Sequence, residues 1–159
     1  AVAGGVLSIG DYHGGAVEKA MKQFLHWVTM DETDLREEIK RKILAKEIIY
    51  GFGHKVYKTG DPRVEVLTNE SAKLGFISKY LHLKDIIEDV FSQVKGRAIH
   101  ANVDAILALF LCDFGFDPLL GKGIFLIGRV PGLIAQSHEE LVHERPVRRV
   151  PEERIELVE

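Results

Sequence analysis

The chain has 159 residues, with 21 Lys plus Arg against 24 Asp plus Glu and a formal net charge of -3. That is the size of one ordinary domain, large enough to bury a core, with no general attraction for nucleic acid or anionic membranes. Charged residues make up 28% and are mixed in sign, which excludes a polybasic or polyacidic tail.

Ala1-Val2-Ala3-Gly4-Gly5-Val6-Leu7 is apolar from the first residue with no polar cap ahead of it, and reads as a chain that begins inside an element. No basic leader precedes this run, so a cytoplasmic location is expected. From Gly15, the positions Ala16, Ala20, Phe24 and Trp27 recur at helical spacing with Glu18, Lys19, Lys22 and Gln23 between them. Asp31-Glu32-Thr33-Asp34 supplies an N-cap for a second helix running to about Ile48.

Asp61-Pro62 opens a third helix, with Asp as cap and Pro where a missing N–H costs nothing. Val64, Leu67 and Leu74 form its apolar face, and Gly75 ends it. Lys79 to Val94 is a fourth helix, closed by Gly96, with Leu83, Ile86, Ile87, Val90, Phe91 and Val94 on one side. Asn102 to Phe114 and Pro118 to His143 read as two further helices, long and mostly buried. Only Arg149 to Val158 shows weak strand alternation within a charged, extended tail, so the expected fold class is all-α.

The segment Gly51-Phe52-Gly53-His54-Lys55-Val56-Tyr57-Lys58-Thr59-Gly60-Asp61-Pro62-Arg63 is the richest in chemistry. Gly51 and Gly53 around Phe52 let backbone amides approach a ligand, His54 can donate a hydrogen bond, and Lys58 and Arg63 can grip anions. A histidine, His13, stands before Gly14-Gly15 at a helix start, where it serves equally as a cap. Asp104 opens a strongly apolar helix, where desolvation would raise its pKa and suit it to act as a general base. Asp104 as an N-cap is the alternative. Arg129 lies in an otherwise uncharged run, Ile124 to Ile134, and a buried guanidinium there must pair with a carboxylate or an anionic ligand. Arg145, before Pro146, is a second candidate clamp.

Other polar residues have simpler expectations. Of seven histidines, His138 and His143 are the closest to a metal-binding pair, but their spacing does not share a helix face, so no metal site is expected. His26, His82 and His100 are read as having no direct role. Cys112, the single cysteine, cannot form an internal disulfide and is expected to be a buried, inert thiol.

Together these residues resemble the citrate synthase superfamily. Gly51 to Arg63 resembles its GxGHxVYK…DPR motif, Tyr12-His13-Gly14-Gly15-Ala16 its helix start of the LHGGA type, and Asn102-Val103-Asp104 its NVD element. Gly128-Arg129 and His143-Glu144-Arg145-Pro146 resemble two later arginine motifs, in the family's order. The resemblance implies a helical fold divided into residues 1–30 (the end of a large-domain helix and the start of the catalytic small domain), 31–115 (the small, CoA-binding domain) and 116–159 (a C-terminal large-domain helix and tail).

It also implies roles. Asp104 would take a methyl proton from acetyl-CoA, His13 would donate to the thioester oxygen, and His54 would polarise the ketone of oxaloacetate. Arg63, Arg129 and Arg145 would hold carboxylates, Arg145 reaching from the partner of a homodimer. Gly51, Phe52, Gly53 and Lys58 would contact CoA, a co-substrate rather than a permanently bound cofactor. Gly10-Asp11-Tyr12 departs from the usual Gly-Pro-Leu, and Ala105-Ile106-Leu107 from the usual aromatic-Ser-Gly, both toward the citryl-CoA lyase branch. The expected function is thus condensation of acetyl-CoA with oxaloacetate through an enol. Cleavage of citryl-CoA is the alternative, and a non-catalytic CoA-binding, dicarboxylate-binding or assembly module is the rival of another class.

Overall fold

The computed structural model describes residues 1–10, 13–145 and 150–155. Its helices are α1 (Val2–Leu7), α2 (Ala16–Trp27), α3 (Glu32–Leu44), α4 (Pro62–Lys73), α5 (Leu81–Lys95), α6 (Val103–Asp113) and α7 (Gly121–His143), with 3-10 turns at Pro118–Leu120 and Glu152–Arg154. Among the described residues there are isolated β-bridges but no strand. The weak alternation from Arg149 to Val158 falls partly outside the described residues, and its described part contains the 3-10 turn instead of extended chain.

The caps expected at Asp31 and Asp61 are made. The Asp31 carboxylate accepts from the amides of Thr33 (2.9 Å) and Asp34 (3.0 Å), satisfying donors that the first turn of α3 leaves open. α3 stops four residues before Ile48, because Lys46 adopts a left-handed conformation (φ 57°) that no helix continues. Glu47, gripped by Arg41 and Lys42 at 2.7 Å each, holds that turn against the end of the helix. α4 ends at Lys73, and the turn through Gly75 throws Leu74 outward to 84% exposure, so Leu74 is not part of the apolar face that Val64 and Leu67 make.

The core is built on two faces. Val17, Ala20, Met21, Phe24 and Trp27 of α2 meet Ala105, Ile106, Ala108, Leu109 and Cys112 of α6, while Leu35, Ile39 and Ile43 of α3 meet Leu83, Ile87 and Val90 of α5. Each large side chain fully removed from water contributes roughly 1.5–3 kcal/mol, so α6, apolar on nearly every side, is the natural centre. α4 crosses α6, and α1 and α2 pack against α7.

α7 is the main departure. It is apolar but lies on the surface, with Gly121 its only buried residue and Ile127, Ile134, Leu141 and Val142 exposed. The segment Pro118–His143, of 26 residues, contains an 18-residue window of mean hydropathy 1.4 and is long and apolar enough to cross a membrane by length and composition alone. Its Gly121 nevertheless sits directly against Val17, Glu18 and Met21 of α2, which anchors the helix to the core.

Cys112 is buried, its thiol 3.7 Å from the Met21 carbonyl, and burial first, then the neighbouring Asp113, pushes its pKa up to about 12. Without thiolate there is no nucleophile. A disulfide reagent at neutral pH is therefore expected to leave Cys112 unmodified in the folded chain and to react promptly once urea unfolds it.

Candidate active site

Four separate segments converge on one cleft of about 200 Å³. His13, Gly14 and Ala16 come from the start of α2, His54 and Arg63 from the glycine loop and α4, Asn102, Val103 and Asp104 from the start of α6, and Phe125 and Arg129 from α7. The three residues expected to carry acid–base chemistry and two of the three expected arginines therefore meet.

The glycine loop is held by hydrogen bonds to the strand-like stretch before α6. The Gly53 amide donates to the His100 carbonyl (2.8 Å), the Asn102 amide to the Gly51 carbonyl (2.9 Å) and the Asn102 side-chain amide to the Gly53 carbonyl (2.8 Å). Gly51 adopts φ 88°, and a Cβ there would lie 2.7 Å from the Ala105 Cβ and 2.8 Å from its Cα, so only glycine lets the loop touch α6. The Gly53 amide is consumed in this pairing, and Lys58 folds back so that its Nζ donates to the His54 carbonyl (3.0 Å). Gly51, Phe52, Gly53 and Lys58 do not line the cleft.

The same loop sets the tautomer of His54. Its Nδ1 accepts from the amides of Val56 and Tyr57, both at 3.1 Å, so the ring proton resides on Nε2 when the imidazole is neutral. The Tyr57 ring stacks on the imidazole at 4.7 Å between centroids. Nε2 then meets Arg63 Nη2 at 3.5 Å, placing two donors side by side with no acceptor between them. Such a pair is suited to an oxygen of a bound carbonyl or carboxylate.

Asp104 faces these donors. Asn102, not Asp104, is the cap of α6: its Oδ1 accepts from the amides of Asp104 (2.9 Å) and Ala105 (3.4 Å). The Asp104 carboxylate is thereby left free, and its Oδ1 is buried with no hydrogen-bond partner. Burial pushes the Asp104 carboxyl above its ordinary value of 3.8, opposed by the charges of Arg63, His13 and His54 and assisted by Asp61. An unpartnered buried carboxylate oxygen costs stability, and the raised pKa makes Asp104 a better proton acceptor than an exposed carboxylate.

His13 does not cap α2, whose N-cap is Gly15. It is held by paired backbone hydrogen bonds with Gly10 (both 3.0 Å), and its ring meets the Phe125 ring edge to face at 5.5 Å. Gly14 (φ 86°) leaves room for that ring, since a Cβ there would come within 2.7 Å of Phe125. Asp11 and Tyr12 of the motif lie outside the described residues.

Arg129 differs from its expectation. It is exposed, because α7 runs on the surface, and its guanidinium lies over the Phe125 ring at 5.8 Å instead of in a buried ion pair. It still lines the cleft, so an anionic ligand remains its available partner. Arg145 follows the end of α7, exposed and outside the cleft lining. Asn102 and Phe125 were not among the expected site residues. The first is signalled by a polar residue just ahead of an apolar helix, but Phe125 has no local signal in a run of similar apolar residues.

A family model, citrate synthase, C-terminal domain, matches residues 1–150. Citrate synthase 2 of Bacillus subtilis is 34% identical over 142 residues, covering 87% of this chain and 37% of that protein. The chain thus spans less than half the length of this curated relative. In structure it is similar to the citryl-CoA lyase from Hydrogenobacter thermophilus, with TM-score 0.87 and 38% identity over 99% of this chain and 62% of the other. It is also similar to the citrate synthase from Thermotoga maritima, with TM-score 0.68 and 28% identity over 94% of this chain and 42% of that one. With both its sequence and its helical arrangement matched, the chain belongs to the citrate synthase family, through that family's C-terminal domain.

Proposed function

We propose that the cleft makes or breaks the carbon–carbon bond between the acetyl group of acetyl-CoA and oxaloacetate, through an enol. The observation that carries this reading is the opposition of an unpartnered Asp104 oxygen to two converged donors on His54 and Arg63. In the forward direction Asp104 removes a proton from the acetyl methyl group while His13 donates to the thioester oxygen. The enol carbon then attacks the ketone carbon of oxaloacetate as the enol O–H returns its proton to His13 and the thioester carbonyl re-forms, while the ketone oxygen takes the proton of His54 Nε2, giving citryl-CoA. Arg63 and Arg129 hold the carboxylates. CoA lies along the loop from Gly51 to Lys58. Water hydrolyses citryl-CoA in a synthase, whereas a lyase runs the bond step in reverse to acetyl-CoA and oxaloacetate.

The lyase direction is favoured by a specific observation. Identity and TM-score are both higher to the citryl-CoA lyase than to the Thermotoga synthase, and Ala105-Ile106-Leu107 follow the base. The working unit is a homodimer. Support comes from the exposed apolar side chains of α7 and from Arg145, which stands outside its own cleft and is available to a partner's. A second copy suits α7 better than a membrane does, because Phe125 and Arg129 of that helix line the cleft.

The test is direct. With citryl-CoA the chain is expected to release acetyl-CoA and oxaloacetate without free citrate, and with acetyl-CoA plus oxaloacetate in deuterated water it should exchange the methyl protons. Free citrate and CoA from the second mixture would assign a synthase. Binding of both ligands with no exchange would discard the catalytic reading in favour of a binding module.

A further inference from the structure

We propose that Asp61 is a positioning residue of this cleft: one buried carboxylate that fixes the Arg63 guanidinium beside His54 and ties the helix bearing Arg63 to the first turn of the helix bearing Asp104. This rests on the cleft being the substrate site.

Asp61 is 5% exposed, unusual for a carboxylate unless it is fully engaged, and it is. Its Oδ1 accepts from the Arg63 amide (3.1 Å), capping α4, and from Arg63 Nε (2.8 Å). Its Oδ2 accepts from Arg63 Nη2 (2.7 Å) and from the Val103 amide (2.9 Å). The guanidinium is thus gripped along one edge, which leaves Nη1 and the remaining Nη2 proton to face outward, with the Tyr57 ring 5.6 Å from its centre. Val103 directly precedes Asp104. A single side chain therefore sets the spacing between the carboxylate-binding cation and the base.

The same charge acts on Asp104 through space. The charged and titratable groups facing Asp104 are Arg63 from α4, His54 from the loop, His13 from before α2, Asp61, and Arg129 from α7 across the cleft. Asp61 repels the ionised form of Asp104 and also offsets Arg63, which favours it. Both effects vanish in the same direction when Asp61 is neutralised.

Asp61→Asn keeps a good N-cap and removes the charge. In the full chain, followed by carboxyl-carbon NMR, Asp104 is expected to titrate at lower pH in the variant than in the wild type. The Arg63 Nε–H is expected to exchange with water about tenfold faster or more, as befits loss of a hydrogen bond to a charged acceptor. An unchanged Asp104 midpoint, or an Arg63 Nε–H as protected as before, would overturn the proposal. Should Asp61→Asn not fold, Asp61→Ser is read by the same two signals, and failure of both to fold reduces Asp61 to a structural residue and overturns it. Titrating oxaloacetate into the wild type separates the two ideas. No binding there overturns the substrate reading, while the two signals still decide the role of Asp61.

Discussion

Asp104→Asn is expected to lose methyl-proton exchange and turnover by about 10²–10⁴-fold, the usual contribution of a positioned general base, while the folded chain becomes more stable. The stability gain has a definite pH dependence. Burial raises the Asp104 pKa in the folded state, so the native chain holds its proton more tightly than the unfolded chain does. Wild-type stability therefore falls as pH rises from the ordinary carboxyl value of 3.8 through the raised native value, and the penalty is complete above it. The Asn variant has no such fall. Urea melts across acidic to neutral pH should show the two proteins alike at the acid end and the variant ahead at neutrality. A variant no more stable at neutral pH would mean that Asp104 finds a partner in solution and is not held as an uncompensated base.

Gly51→Ala is expected to destabilise the fold by about 2–4 kcal/mol, combining the left-handed backbone penalty with overpacking. The added Cβ meets the Ala105 Cβ at 2.7 Å and its Cα at 2.8 Å, contacts that a flexible side chain cannot relieve. Gly53→Ala is the internal control. Its φ of 79° carries the same backbone strain, but its Cβ would meet only Ile99 at 3.7 Å, an ordinary contact. About 1–2 kcal/mol is expected there. Equal losses in the two variants, measured by urea denaturation, would show that the approach of the loop to α6 is not what demands glycine at position 51. In Gly51→Ala the shift of the loop also breaks the Asn102–Gly51 pairing, so His54 should lose its alignment with Arg63 even where the variant folds.

Much of this was legible from local chemistry. Asp31 and Asp61 precede helices because a side-chain oxygen one residue before the first turn reaches amides that have no other partner, and the apolar spacing of α2 and α5 fixes their buried faces, whereas the cap of α6 proved to be Asn102 and not Asp104. The motif residues His13, His54, Arg63 and Asp104 could be nominated because each sits where an apolar helix or a glycine turn has no structural use for it. Burial was less legible. Arg129 and α7 were read as interior because the run around them is uncharged, but hydropathy reports what a helix can bury, and α7 is left largely exposed against α1 and α2.

The amino-acid sequence by itself determined which segments become helices and where α3 and α4 begin, because caps and periodicity act within a few residues, whereas the end of α3 had to await the left-handed turn at Lys46. Only the tertiary structure decided the burial of the Asp104 oxygen without a partner and the reach of Asp61 to the Val103 amide, because both depend on segments far apart in the chain packing together, whereas the proton position on His54 is set within its own loop by the Val56 and Tyr57 amides.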